Sequence, residues 1–149
     1  MRFRYRITPS LDSFTRTLKG DVRGARRAGM TNVVTMIEAH ARKDAPVKTS
    51  NLANSGSSRV EKGGSEGVVT FSAPYARYVH EGTGLYGPHK TKIVPTRKRA
   101  LFWPGASHPV RSVRGMKGTP FLTDAAKGAD MEKLYIEGAN NYLAQRGGR

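Results

Sequence analysis

Cysteine is missing altogether, so neither disulfides nor thiolate metal ligation can hold this chain together. Large apolar residues are sparse. Hydrophobic residues fill 37% of the 149 positions, against roughly 45–50% in an average globular domain on a count that includes Gly. No apolar run approaches the ~18 residues that a membrane span needs. The opening MRFRYRITPS has no continuous apolar core of the secretory kind, and the simplest expectation is a cytosolic product without covalent staples. Acid is the scarcest of all: 11 Asp and Glu face 26 Lys and Arg, a net charge of +15, and none stands between Gly82 and Thr123. That balance favours a polyanionic partner, whether nucleic acid, anionic lipid or an acidic protein.

What is present fits one α+β domain over residues 1–149. A chain of this length can bury roughly 70% of the surface it exposes when unfolded. MRFRYRI alternates Phe3, Tyr5 and Ile7 with Arg2, Arg4 and Arg6, the period of a half-buried strand. Two uses compete for this strand, which takes in residues 1–8. It is an edge strand whose arginines discourage stray pairing, or an arm whose residues Arg2, Phe3, Arg4, Tyr5, Arg6 and Ile7 add to a neighbouring subunit's sheet. Leu11, Phe14, Leu18, Val22, Ala25, Val33, Ile37 and Ala41 then recur at helical spacing. Gly20, Gly24 and Gly29 predict a kink or break, and Asp44-Ala45-Pro46 closes the segment. Leu52 anchors a polar, turn-rich stretch. Strands over 59–62 and 67–73 predict a hairpin with Val60, Val69, Phe71 and Ala73 on its inner face.

Pro74 opens a short helix or turn with Tyr75, Tyr78 and Val79. Further strands are expected over 92–95, 100–104 and around 110–114. Thr119-Pro120 has the look of an N-cap followed by proline in the first turn, predicting one helix from Pro120 to about Ala144 and a frayed tail over 146–149. The fold expected is therefore a small antiparallel sheet packed with a long helix in the N-terminal half and a C-terminal helix.

The motifs of catalysis are poorly matched. Gly82 to Thr91 resembles a stretched phosphate loop, but Pro88 and His89 separate the last glycine from Lys90, and a strand follows where a helix is required. His40, His80, His89 and His108 are too far apart in sequence for a close-spaced ligand motif. Gly84 stands where a zinc-protease motif starting at His80 would need its second histidine, and no GxSxG elbow occurs. No catalytic residue, cofactor or metal is assigned. A basic patch remains, with Lys90, Lys92, Arg97, Lys98, Arg99, Arg111, Arg114 and Lys117 interleaved with Tyr86, Phe102 and Trp103. Such a patch can neutralise phosphates and stack bases. Against it, Phe102 and Trp103 would alternate across a strand, so that at least one points into the core.

The order of segments carries a family resemblance. Ala45-Pro-Val-Lys-Thr-Ser-Asn-Leu52 is followed by a hairpin, by Ala73-Pro-Tyr-Ala-Arg-Tyr-Val-His-Glu-Gly-Thr83, by Ala100-Leu-Phe-Trp-Pro-Gly105 and by Gly118-Thr-Pro-Phe-Leu122 entering a last helix. This resembles the small neck, or tail-completion, proteins of long-tailed bacteriophages, with their "APVDTGNL", "YAPYVEFGT", "ALxFxxxG" and "PxPFL" segments. Lys48, Ser50, His80 and Glu81 depart from those patterns. The resemblance implies a noncatalytic virion protein at the head–tail junction, made in the host bacterial cytoplasm. It would act as a neck, tail-completion or tail-terminator ring, with a hexamer favoured. Its partners would be further copies of itself, adjacent head-closure, connector and tail proteins, and the genomic DNA in the channel, with no membrane. The basic patch would face DNA or an acidic neighbour. The alternative is a basic nucleic-acid-binding domain with no virion role.

Overall fold

The computed structural model of the chain describes residues 1–6, 22–46 and 50–147. The fold is α+β, and its contacts separate into two compact units. Met1–Ala73 joins Phe121–Arg149, and Pro74–Pro120 is inserted between them.

The first unit holds an antiparallel three-stranded sheet of order β1-β3-β2, with β1 at Arg2–Arg6, β2 at Gly56–Glu61 and β3 at Glu66–Phe71. The alternating N-terminal segment is an edge strand of the chain's own sheet, Arg2 opposite Thr70 and Arg6 opposite Glu66. Ile7, the last residue of the proposed arm, lies outside the described residues, as do Leu11, Phe14 and Leu18. The hairpin forms with Glu61 opposite Glu66 and Val60 opposite Gly67. Its first strand starts at Gly56, earlier than expected. Lys62, read from sequence as strand, belongs to the turn, at φ 50° beside Gly63 at φ 65° and Gly64 at φ 101°. Three left-handed residues in succession bend the chain too sharply for a ladder to continue.

Helix α1, Val22–Asp44, buries Ala25, Met30, Val33, Val34, Ile37 and Ala41 along one stripe, as the 3.6-residue period requires. It packs on β2, β3 and the C-terminal helices. Against the expected kink, it runs unbroken through Gly24 and Gly29. Here the glycines serve close approach. A Cβ on Gly29 would lie 2.7 Å from the Tyr135 carbonyl oxygen, one on Gly138 would lie 2.8 Å from the Ala28 oxygen, and Gly24 is covered by the Tyr142 ring. The helical propensity lost at glycine, about 1 kcal/mol per residue, is offset by helix contact that no larger residue permits. The Asn32 side-chain amide uses that proximity to donate to the Leu134 carbonyl at 2.7 Å.

A short helix α2, Asn51–Asn54, buries Leu52 as expected. At the C-terminal end the single helix expected from Pro120 to about Ala144 is two, α4 at Phe121–Gly128 and α5 at Met131–Gly147; α3, Ala76–Glu81, lies in the inserted unit. The break has a local cause. Asp130 accepts at Oδ1 from the Lys133 N–H, 3.1 Å, and so caps the second helix just after Gly128 and Ala129. Arg146 and Gly147, expected to be frayed, complete α5. Phe121 and Leu122 are buried at the start of α4, and the Phe121 ring meets Phe71 edge to face, centroids 5.0 Å apart at 79°.

Two substitutions test this packing in urea unfolding. Gly29→Val should cost about 1–3 kcal/mol by overpacking the α1–α5 contact. Phe121→Ala should cost about 3–5 kcal/mol through the cavity it leaves beside Phe71.

Candidate interaction surface

In the inserted unit the chain turns at α3, Ala76–Glu81, and then lays the glycine-rich loop along residues 114–119. The Thr83 N–H donates to the Met116 carbonyl and the Leu85 N–H to the Arg114 carbonyl, both at 2.8 Å, while the Thr119 N–H donates to Val79, 2.8 Å. Thr83 Oγ1 accepts from the Met116 N–H at 2.9 Å. Gly84 at φ 62° and Gly115 at φ 88° allow these backbones to touch, since a Cβ on either would strike the facing chain. The remaining turns take up the N–H groups of Gly82, Tyr86, Gly87 and Lys90. A phosphate cradle needs convergent, uncommitted N–H groups at a helix start; these donors are spent on the fold.

Beyond the loop, the strands expected over 92–95, 100–104 and 110–114 are absent, and two isolated antiparallel bridges, Ile93 with Val113 and Leu101 with Val110, stand in their place. Pro95, Pro104 and Pro109 each remove a ladder donor, which confines pairing to single positions. The excursion from Leu101 to Val110 is tied at its base by reciprocal hydrogen bonds of 2.8 and 3.0 Å. At its tip Trp103-Pro104-Gly105-Ala106 forms a turn closed by the Ala106 N–H on the Trp103 carbonyl, 3.0 Å, with Gly105 at φ 93°. Proline second and a left-handed glycine third is the type II pattern. The turn overturns the expectation that Phe102 or Trp103 reaches the core: they are 67% and 46% exposed.

All eight residues of the basic patch, Lys90, Lys92, Arg97, Lys98, Arg99, Arg111, Arg114 and Lys117, lie in this unit and are exposed. None has a carboxylate partner among the described residues. The unit's one acid, Glu81, is taken by Arg77 at 2.9 Å, and the pairing raises the Arg77 pKa further above its usual value. Lys117 rests 5.8 Å over the Tyr86 ring. The same unit carries the exposed large apolar groups, among them Tyr78 at 60%, Ile93, Val94 and Met116. Sequence reasoning passed over these as surface residues; Trp103-Pro104-Gly105 was the signal that could have placed the aromatics on a turn. A cavity of about 390 Å³ lies between α3 and the 87–93 segment. Arg77 and Glu81 neutralise each other in its wall and Thr83 Oγ1 is already bonded; Tyr78, His89, Thr91 and Lys92 are its other polar side chains.

The cations on the sheet itself contrast with these. Glu61 meets Arg2 at 3.1 Å, Arg59 at 2.7 Å and Arg4 at 3.8 Å, and Glu66, its side chain 1% exposed, meets Arg4 at 2.9 Å and Lys62 at 2.7 Å. Arg2 and Arg4 are thus bound across the chain's own sheet. The side of β1 away from β3 carries no strand among the described residues. Among the described residues no three His, Asp or Glu side chains gather as a metal set, and no helix is long and apolar enough to cross a membrane. No family model, curated protein or solved structure matches the chain.

The Glu61 carboxyl is held below the usual carboxylate range, chiefly by the Arg59 hydrogen bond and against the desolvation that opposes it, with further help from the charges of Arg59, Arg4 and Arg2. A lowered folded-state pKa stabilises above the ordinary carboxylate value and is lost as pH falls through the lowered one. NMR titration should therefore show Glu61 protonating below the normal range, and Arg59→Gln should move it back up. For the basic patch, Arg97→Ala/Lys98→Ala/Arg99→Ala should elute from heparin at lower salt while its unfolding free energy changes by no more than about 0.5 kcal/mol per site.

Proposed function

We propose that this is a noncatalytic assembly protein of the tailed-phage neck, joining or completing the head–tail junction as a ring of identical subunits around the DNA channel. The observation that carries the reading is the segregation of surface. The sheet-and-helix unit pairs Glu38, Glu61 and Glu66 with its own cations, whereas every exposed large apolar side chain among the described residues lies in the inserted unit, beside eight cations without a carboxylate partner. Solitary exposed apolar groups are ordinary, but several gathered in one unit mark a contact surface.

The ordered segments from Ala45 to Leu122 and their resemblance to neck and tail-completion proteins supply the class of assembly. Ring subunits use heterologous interfaces, in which one patch meets a different patch of the next copy. Tyr78, Ile93 and Met116 on one copy, and the outward side of β1 or another surface on the next, suit such an arrangement. The role requires no reaction, and in the cavity beside α3 the one carboxylate, Glu81, is already paired with Arg77. Neighbouring head-closure and tail proteins are the further partners.

Light scattering with negative-stain imaging tests this on the purified chain. Rings, or uptake into neck or tail particles, are expected. Tyr78→Asp/Ile93→Asp should give folded monomers. A chain that stays monomeric at high concentration and joins no particle contradicts the reading.

A further inference from the structure

We propose that the excursion Leu101–Val110, with the cationic loop leading into it, binds single-stranded nucleic acid by base stacking on Phe102 and Trp103 and by phosphate neutralisation at Arg97, Lys98, Arg99 and Arg111. The inference does not rest on ring formation, because it concerns side chains that one copy displays by itself.

Three observations converge. First, the two rings are held out by a closed turn and a bonded base rather than by a free loop, so little order is lost when a planar ligand covers them. Second, the four cations flank that turn in sequence, are exposed, and have no carboxylate among the described residues to release before they meet a phosphate. Third, no Asp or Glu stands from Gly82 to Thr123 to repel an anionic strand.

The charge balance also decides between occupants. A second copy of this chain is a poor complement to the patch, since each copy carries +15. An acidic protein could neutralise the cations, but it offers no regular supply of flat faces for the two rings. A nucleic-acid strand offers both groups in every residue. A duplex presents base edges in its grooves and keeps the faces stacked on one another, so exposed rings select a strand whose bases are open.

Trp103 is the chain's one tryptophan, and its fluorescence reports ring contact directly. The full-length chain is titrated with a short oligodeoxythymidylate, with a duplex of equal length and with polyglutamate of equal charge. Saturable quenching by the strand is expected, tighter than for the duplex. Its affinity should fall with salt at a log–log slope near −3, about four phosphates at ~0.7 each. In anisotropy with a labelled strand, Phe102→Ala and Trp103→Ala should each weaken binding roughly tenfold. Arg97→Ala/Lys98→Ala/Arg99→Ala should flatten the slope by about 2. Circular dichroism of each variant, expected to match the parent chain, checks that the fold is intact. Absence of quenching, equal affinity for duplex and strand, or unchanged affinity in Trp103→Ala overturns the proposal. Preference for polyglutamate also overturns it, in favour of an acidic protein. Each result is independent of whether light scattering finds rings.

Discussion

The edge-to-face contact of Phe71 and Phe121 is the constraint on which this architecture turns. Phe71 ends β3, the central strand, and Phe121 begins α4. Everything between Pro74 and Pro120 leaves and returns through that pair. Because both rings are buried in the sheet unit, the inserted segment can be rich in glycine, proline and charge without weakening the core that carries it. Domains tolerate insertions where the two ends lie close together, and an aromatic pair is a dense way to hold them so.

Charge follows the same division. On the sheet, Arg2, Arg4, Arg59 and Lys62 surround Glu61 and Glu66, so positive charge there is used in holding an edge strand to its neighbour. Exposed pairs of this kind contribute little to stability one by one. Glu66 differs because its carboxylate is buried, and removing one partner would leave a charge poorly solvated. In the inserted unit the only carboxylate is bound to Arg77, and eight other cations face solvent. A chain of this net charge repels its copies unless some of that charge is neutralised on assembly. The inserted unit, with nine cations against one acid, carries about half of the net charge, and salt should govern how far it opposes association.

The sequence was most legible where one period dominated. The alternation of Arg2 to Arg6 and the 22–41 stripe of α1 translate directly into elements, as does the turn between Val60 and Gly67. The α+β class follows from those three. Gly24 and Gly29 misled because glycine has two meanings in a helix, weakness or close approach, and only the facing Tyr135 and Tyr142 decide between them. Asp130 was read as an acid within a helix when it caps a new one, a distinction set by Gly128 and Ala129 just before it. In the inserted unit strands were expected over 92–95, 100–104 and 110–114, but three prolines leave only the bridges of Ile93 with Val113 and Leu101 with Val110. That reduction puts Phe102 and Trp103 on the surface. The residues of the basic patch were legible by composition; their lack of partners was not, because a salt bridge depends on neighbours that only the fold brings together.

The central claim is that residues 74–120 exist to be covered by something else. Hydroxyl-radical footprinting of the free and the assembled chain tests it most directly, since Tyr78, Phe102, Trp103 and Met116 are oxidisable reporters across the unit. The account requires these side chains to be reactive in the free chain and several of them to become protected on assembly, with α1 unchanged. Equal reactivity of all four in both states, with any new protection confined to the sheet and its helices, would contradict it.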